Sequence, residues 1–127
     1  MIKIKRVYDE PEKDDGQRIL VDRLWPRGLK KEESGVDLWM KEVAPSTELR
    51  KWFHKQEGQW EDFRRKYTAE LCCSRRFEDL VDISMDHDIT LLYASRDTEQ
   101  NHAVILKNLL DDKKNFYQCC KSLRDLY

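Results

Sequence analysis

One stretch limits what this chain can become. Residues Ile89 to Ala94 read Ile-Thr-Leu-Leu-Tyr-Ala, the longest apolar run uninterrupted by a charge. A run this short is strand length, and with no polar alternation it predicts a strand buried on both faces, as at the centre of a parallel sheet. A polar turn follows, and then a helix expected from about Thr98 to Leu110. In open α/β sheets, ligands bind outside the carboxyl ends of such strands. The stretch from Tyr93 to His102 is therefore where a site is expected.

The other segments fit around that strand. Ile2 and Ile4 alternate with Lys3 and Lys5, the pattern of a half-buried strand, and Ile19, Leu20 and Val21 give another. Residues 9–17 carry Pro11, Gly16 and an acidic run, and predict a solvated loop without the oxygen-ligand spacing of a calcium loop. Pro26 and Gly28 place a turn after the second strand, anchored by Trp25 with Arg27 at its tip. Residues 36–43 fit a short helix or a strand equally well.

Three helices are expected next. One is capped by Ser46, carries Leu49, Trp52 and Phe53 on its apolar face, and ends at Gly58. A second has the stripe Trp60, Phe63, Tyr67 and Leu71. The third is capped by Ser74, with Phe77, Leu80, Val81 and Ser84 on one side, and closes at a solvated Asp86-His87-Asp88 turn. After a break at Lys113-Lys114-Asn115, a last amphipathic segment aligns Phe116, Cys119, Cys120, Leu123 and Tyr127. The expected architecture is α/β: a single three-layer-like domain, a short mostly parallel sheet flanked by helices, with a C-terminal amphipathic helix. Residues 1–110 would form the domain, and 111–127 an extension packed on it or on a partner.

Composition narrows the function classes. The 127 residues hold 24 basic and 25 acidic side chains, so a formal net charge of −1 exerts no overall pull on nucleic acid or an anionic membrane. No apolar stretch approaches the roughly 20 residues of a membrane span, and the charged, alternating start is no signal peptide. A cytoplasmic protein is expected. Its four cysteines, the adjacent pairs Cys72-Cys73 and Cys119-Cys120, are then expected reduced, one of each pair packing as a small hydrophobe. Adjacent cysteines rarely reach one ion, so no metal site is expected.

Candidate site residues cluster at strand ends and helix starts. Arg23, Arg27, Arg50 and Arg96 offer planar forks suited to phosphate or carboxylate. Ser46, Tyr93, Ser95 and Asn101 supply neutral polar tips. An arginine near a turn is usually a surface charge, and Arg23 could simply pair with Asp22 or Asp9. His102 lies in the first turn of the helix after the central strand, where the positive helix end favours a neutral imidazole able to accept or donate a proton. It reads as well as a core histidine satisfied by a carbonyl. His54 stands one helical turn from Arg50. No Gly-x-Ser-x-Gly elbow surrounds Ser95, and no glycine loop for phosphate is present.

Three blocks carry a family resemblance. Arg18 to Gly28 reads Arg-Ile-Leu-Val-Asp-Arg-Leu-Trp-Pro-Arg-Gly; Ala44-Pro45-Ser46 is followed by Leu49-Arg50 and Phe53-His54; Leu91-Leu92-Tyr93-Ala94 is followed by Asn101-His102-Ala103. Together they resemble the YeaO-like branch of the family known as domain of unknown function 488, from Ile2 to about Leu110. The resemblance implies a compact α/β domain of bacterial or archaeal cytoplasmic type and no established activity. Longer-chain relatives carry a cysteine near the end of the last strand and a Cys-His-Arg triplet on the next helix. Here Tyr93-Ala94 and Asn101-His102-Ala103 stand in those regions, so only His102 carries over, and thiol chemistry does not.

The reading that follows is a small domain binding an anionic, phosphate-bearing molecule at the carboxyl edge of its sheet, with His102 and His54 as candidate catalytic groups. The residues do not decide whether it is an enzyme. If it is, a hydrolase or transferase without metal or cofactor is expected. The rivals are a nucleic-acid-binding or regulatory protein, disfavoured by the charge balance, and a non-catalytic interaction module whose C-terminal segment contacts a partner or a second copy in a homodimer.

Overall fold

A computed structural model describes residues 1–55 and 59–125. The expected ends at Gly58 and Tyr127 lie outside the described residues. Among the described residues four strands, β1 (Ile2–Arg6), β2 (Gln17–Leu20), β3 (Leu38–Trp39) and β4 (Ile89–Tyr93), form one sheet in the order β1-β4-β2-β3. Every pairing is parallel, with Ile4 opposite Leu91 and Ile19 also opposite Leu91. The charge-free run is thus the central strand, last in sequence and inserted between the first two. All five of its residues are buried.

Among the described residues five α-helices follow β3 or β4 in the chain: α1 (Thr47–Lys55), α2 (Trp60–Cys72), α3 (Arg75–Asp86), α4 (His102–Asp111) and α5 (Lys113–Asp125). The two-residue period of the strands sorts the core onto two faces. Ile19, Val21, Ile89, Leu91 and Tyr93 join the helices in the main cluster, with Phe63, Tyr67, Phe77, Leu80, Ile105 and Leu106. Leu20 and Leu92 face the other way, with Val7, and are covered by Trp25, Leu29, Val36 and Trp39. That second layer is irregular chain. It is held by the Trp25 indole N–H donating to the Leu29 carbonyl at 2.7 Å and the Trp39 indole donating to the Asp22 carbonyl at 2.7 Å. The ambiguous segment 36–43 resolves into β3 and a single 3-10 turn at Lys41–Val43.

Several expectations change. The loop 9–17 is not wholly solvated: Asp15 is 1% exposed, where Arg18, Lys3 and Lys5 converge on its carboxylate at 2.5, 3.1 and 3.1 Å. Burial pushes that carboxyl up, but the Glu12 backbone N–H and the three cations outweigh it and hold it far below the usual range. Gly16, at φ +63, brings the loop against the start of β4, where an added Cβ would stand 2.0 Å from the Asp88 carbonyl oxygen. The last helix starts at Lys113, since the break falls at Asp112. On α5, Phe116 and Cys120 are buried, while Cys119 is exposed.

The cysteines are also corrected. Cys72 and Cys120 form a disulfide, with Cα atoms 5.4 Å apart, fastening α5 to the end of α2. Adjacency in sequence hid this, because one member of each pair faces its partner only once α2 and α5 pack. Cys73 and Cys119 are free and exposed. Among the described residues no helix is long and apolar enough to cross a membrane.

Candidate functional site

After β4 the chain turns into α4, which packs over β4 and β1, whereas after β2 it covers the opposite face on its way to β3, so the two connections part at adjacent carboxyl ends. Such a parting opens a crevice. Here it is a cavity of about 350 Å³. Asp22 and Arg23 follow β2 onto its wall, Ala94 and Ser95 follow β4, and Gln100, Asn101 and His102 come from the approach to α4. Arg50, Phe53 and His54 arrive on α1, Phe63 on α2, and Ala44 and Pro45 close the remainder.

Each polar group is held by local chemistry. The Ser46 hydroxyl accepts the Leu49 N–H at 3.1 Å, which caps α1 and orients the face carrying Arg50 and His54. The Arg23 guanidinium donates to the Ala44 and Pro45 carbonyls at 3.2 and 3.3 Å, so its charge lies on the wall while backbone oxygens fix it. It pairs with neither Asp22 nor Asp9. Arg50 and His54 are exposed at the mouth. Phe53 and Phe63, with ring centroids 4.4 Å apart, give an aromatic wall that Trp60 extends.

His102 is the first residue of α4, in its first turn as expected. The helix begins four residues later than expected because Asp97 spends its carboxylate on the N–H groups of Glu99 and Gln100, both at 2.9 Å, and those bonds hold its own carboxyl low. Asn101 is the cap, its Oδ1 accepting the Val104 N–H at 3.1 Å. The His102 Nε2 is 2.9 Å from the Val21 carbonyl oxygen and 3.1 Å from Asp22 Oδ1. A carbonyl oxygen can only accept, so a neutral His102 carries its proton on Nε2 and keeps the Nδ1 lone pair. The Tyr67 ring stands edge-on to it, 6.4 Å between centroids, with its hydroxyl donated to the Val43 carbonyl at 2.5 Å and its ionisation pushed well up by burial.

The cleft brings together Arg23, Arg50, His54, Ser95, Asn101 and His102. It does not bring in Arg27, Ser46, Tyr93 or Arg96. Arg27 is exposed on its turn, its carbonyl accepting from the Tyr8 hydroxyl at 3.1 Å. Ser46 donates its hydroxyl to the Glu70 carboxylate while the same oxygen accepts the capping Leu49 N–H. Tyr93 is 3% exposed within the main core, and burial pushes its phenol up. Arg96 lies on the exposed side of the turn. Asp22 and Arg6 escaped the sequence reading. Asp22 Oδ2 accepts the Ala94 N–H at 3.0 Å, tying the end of β2 to the end of β4. Arg6 clamps the same strand end, donating to the Ala94 and Ser95 carbonyls, both at 3.0 Å. An acid directly after a strand, ahead of Arg23, was the available signal for Asp22. Arg6 gave none, because its targets are 88 and 89 residues away. Among the described residues no group of three or more His, Cys, Asp or Glu side chains converges as a metal would require.

The fold and site define a parallel α/β domain with a polar, aromatic-walled cleft at the carboxyl edge of its sheet, lined by Arg23, Arg50 and Asp22 among others. The chain belongs to the YeaO-like DUF488 family: residues 1–122 match the family described as "Inactive DUF488-N3 subclade". It is 50% identical over 110 residues to "Uncharacterized protein YeaO" of Escherichia coli K12, covering 86% of this chain and 96% of that protein. It is 38% identical over 112 residues to "Uncharacterized protein Mb3100c" of Mycobacterium bovis and to "Uncharacterized protein Rv3073c" of Mycobacterium tuberculosis, in each case 88% of this chain and 95% of the relative. No solved structure matches the chain.

Proposed function

We propose that this protein binds a small anionic, phosphate-bearing molecule in the cleft at the carboxyl edge of its sheet. The observation that carries this is convergence: Arg23 from the end of β2, Arg50 and His54 from α1, and His102 from the start of α4 line one cavity although 79 residues separate the first from the last. Arg50 at the mouth would take the anion as a two-pronged donor, and the fixed charge of Arg23 would add to the attraction. Asn101 and Ser95 have their side-chain oxygens engaged by the backbone N–H groups of Val104 and Asp97, so they shape the wall.

Binding without turnover is the form of the proposal that the site supports best. The chain after β4 presents Ala94 and Ser95, with no thiol, and the Ser95 hydroxyl accepts the Asp97 N–H at 3.2 Å. His102 Nε2 is committed to Val21, which fits an orienting role better than proton transfer through that nitrogen. The description of the matched subclade as inactive agrees with this.

Isothermal titration with a panel of nucleotides, phosphosugars and inorganic phosphate tests the reading. At least one ligand should bind, Arg50→Ala should weaken it about tenfold or more, as the loss of a charge-assisted pair does, and no phosphate should be released. Silence across the panel, or affinity unchanged in Arg50→Ala, would overturn it.

A further inference from the structure

Beside the cleft stands a carboxylate whose charge is only half answered. Asp22 Oδ2 accepts the Ala94 N–H. Its Oδ1 has no aligned donor and, among the described residues, is the one buried side-chain nitrogen or oxygen left so. A charge in that position is costly. Oδ1 is sealed from any ligand, and the group within its reach is His102, whose Nε2 stands 3.1 Å away with its N–H turned to the Val21 carbonyl oxygen. A neutral ring brings Asp22 no charge. A proton added at Nδ1 makes the ring a cation, spread over both nitrogens and directly beside the sealed oxygen. Nδ1 is open to that proton: it has no partner among the described residues, it is not buried as Asp22 Oδ1 is, and its ring lines the cleft.

We propose that the cleft takes up its anion together with a proton: the proton passes from solvent to His102 Nδ1, the new Nδ1–H donates to the bound oxyanion, and the ring's charge answers Asp22. This rests on the anion-binding reading above and adds its regulation by pH. The charges around the ring say why the anion is needed. Of the two charged groups that follow β2, Asp22 favours the cation and Arg23 opposes it. Arg50 on α1 opposes it, as does His54 when charged, and so does the positive end of α4, which starts at His102. On α2, Tyr67 is neutral, its ionisation pushed well up by burial, and Glu70 is engaged by Ser46. The end of β4 brings only Ala94 and Ser95, and Asp97 and Glu99 before α4 are exposed. An empty cleft thus sets one carboxylate against two arginines and a helix end. A bound oxyanion brings the second negative charge and tips the ring to its cationic form. By linkage, the proton tightens the anion's hold by the factor with which the anion tightens the proton's. Binding is therefore strongest on the acid side and weakens as pH rises from the midpoint of the free ring to the higher midpoint of the complex.

NMR of the histidine ring nitrogens, followed through neutral pH with and without saturating anion at constant ionic strength, tests this. The probes are sulfate, whose charge stays fixed over that range, and phenylphosphonate. Without anion, the neutral His102 ring should carry its proton on Nε2. At saturation its midpoint should rise by about one pH unit or more, a tenfold or greater preference for the imidazolium form. The affinity for sulfate should fall by the same factor as pH rises across that interval. In His102→Gln the fall should shrink to about twofold or less, while His54→Gln should keep it. Asp22→Asn removes the charge that the imidazolium answers, so the midpoint in the complex should lie below that of the wild type. A saturating probe that leaves the His102 midpoint where it was overturns the inference and leaves anion binding standing. So does a pH dependence lost in His54→Gln and kept in His102→Gln. If neither probe gives saturable shifts of the amides at the cleft, the anion reading fails and this inference with it. The wild-type titration decides the matter even where a variant does not fold.

Discussion

At the scale of single residues, acids buried beside strand ends govern both stability and site. Asp15 is the clearest. Removing its charge while leaving Arg18 buried should cost about 3 kcal/mol, the low end for breaking a buried pair, because Lys3 and Lys5 keep partial access to water. Urea unfolding of Asp15→Asn at neutral pH measures this. The sign with pH follows from the lowered folded-state ionisation. Asp15's contribution is full above the unfolded carboxylate value near about 4 and drains away as pH falls from there toward the much lower folded value. The wild type should therefore lose stability more steeply below about pH 4 than Asp15→Asn does, and parallel acid limbs would refute the account. The sequence could not show this hub, since Pro11, Gly16 and the acidic run spell an exposed loop, and only tertiary packing places one of its acids beneath three cations. Arg23, Arg50, His54 and His102 were legible as site candidates because strand ends and helix starts can be read from periodicity. Tyr93 and Arg96 lie in the same stretch, but a one-residue step in the strand or turn sends a side chain to the opposite side, and no sequence pattern fixes that step.

At the scale of elements, β1, β2 and β4 and the Ser46 and Ser74 caps were legible, whereas β3 and the helix start after β4 were not. Charge-free residues 89–94 announce β4, and Ser46 and Ser74 sit where their hydroxyls receive the Leu49 and Phe77 N–H groups. Thr98 was the expected start of α4, but Asp97 draws the following N–H groups into a turn, and Asn101 becomes the cap. Asn101→Ala should then cost about 1 kcal/mol, up to about 2, by freeing the start of α4, and thermal unfolding would show it. An unchanged unfolding midpoint would contradict the capping role. Gly16→Ala should be worse, about 2–3 kcal/mol, since it strains φ and drives a methyl into the Asp88 carbonyl.

At the scale of the whole molecule, the sheet is closed on one face by helices and on the other by a tryptophan-pinned loop, and α5 is tied to α2 by Cys72–Cys120. The bridge closes a separation of 48 residues, so reduction should lower stability by about 4 kcal/mol on the chain-entropy account. Alkylation of the unreduced, unfolded chain should label Cys73 and Cys119 alone, with all four cysteines labelled only after reduction. Four labels without reductant would show that the bridge does not form. The central claim concerns the carboxyl edge of the sheet, and an amide NMR titration with phenylphosphonate at constant ionic strength addresses it directly. The account predicts saturable shifts concentrated at Asp22, Arg23, Arg50, Ser95 and His102. Shifts scattered over outlying cations such as Arg27 and Arg96, or no saturation at all, would contradict it.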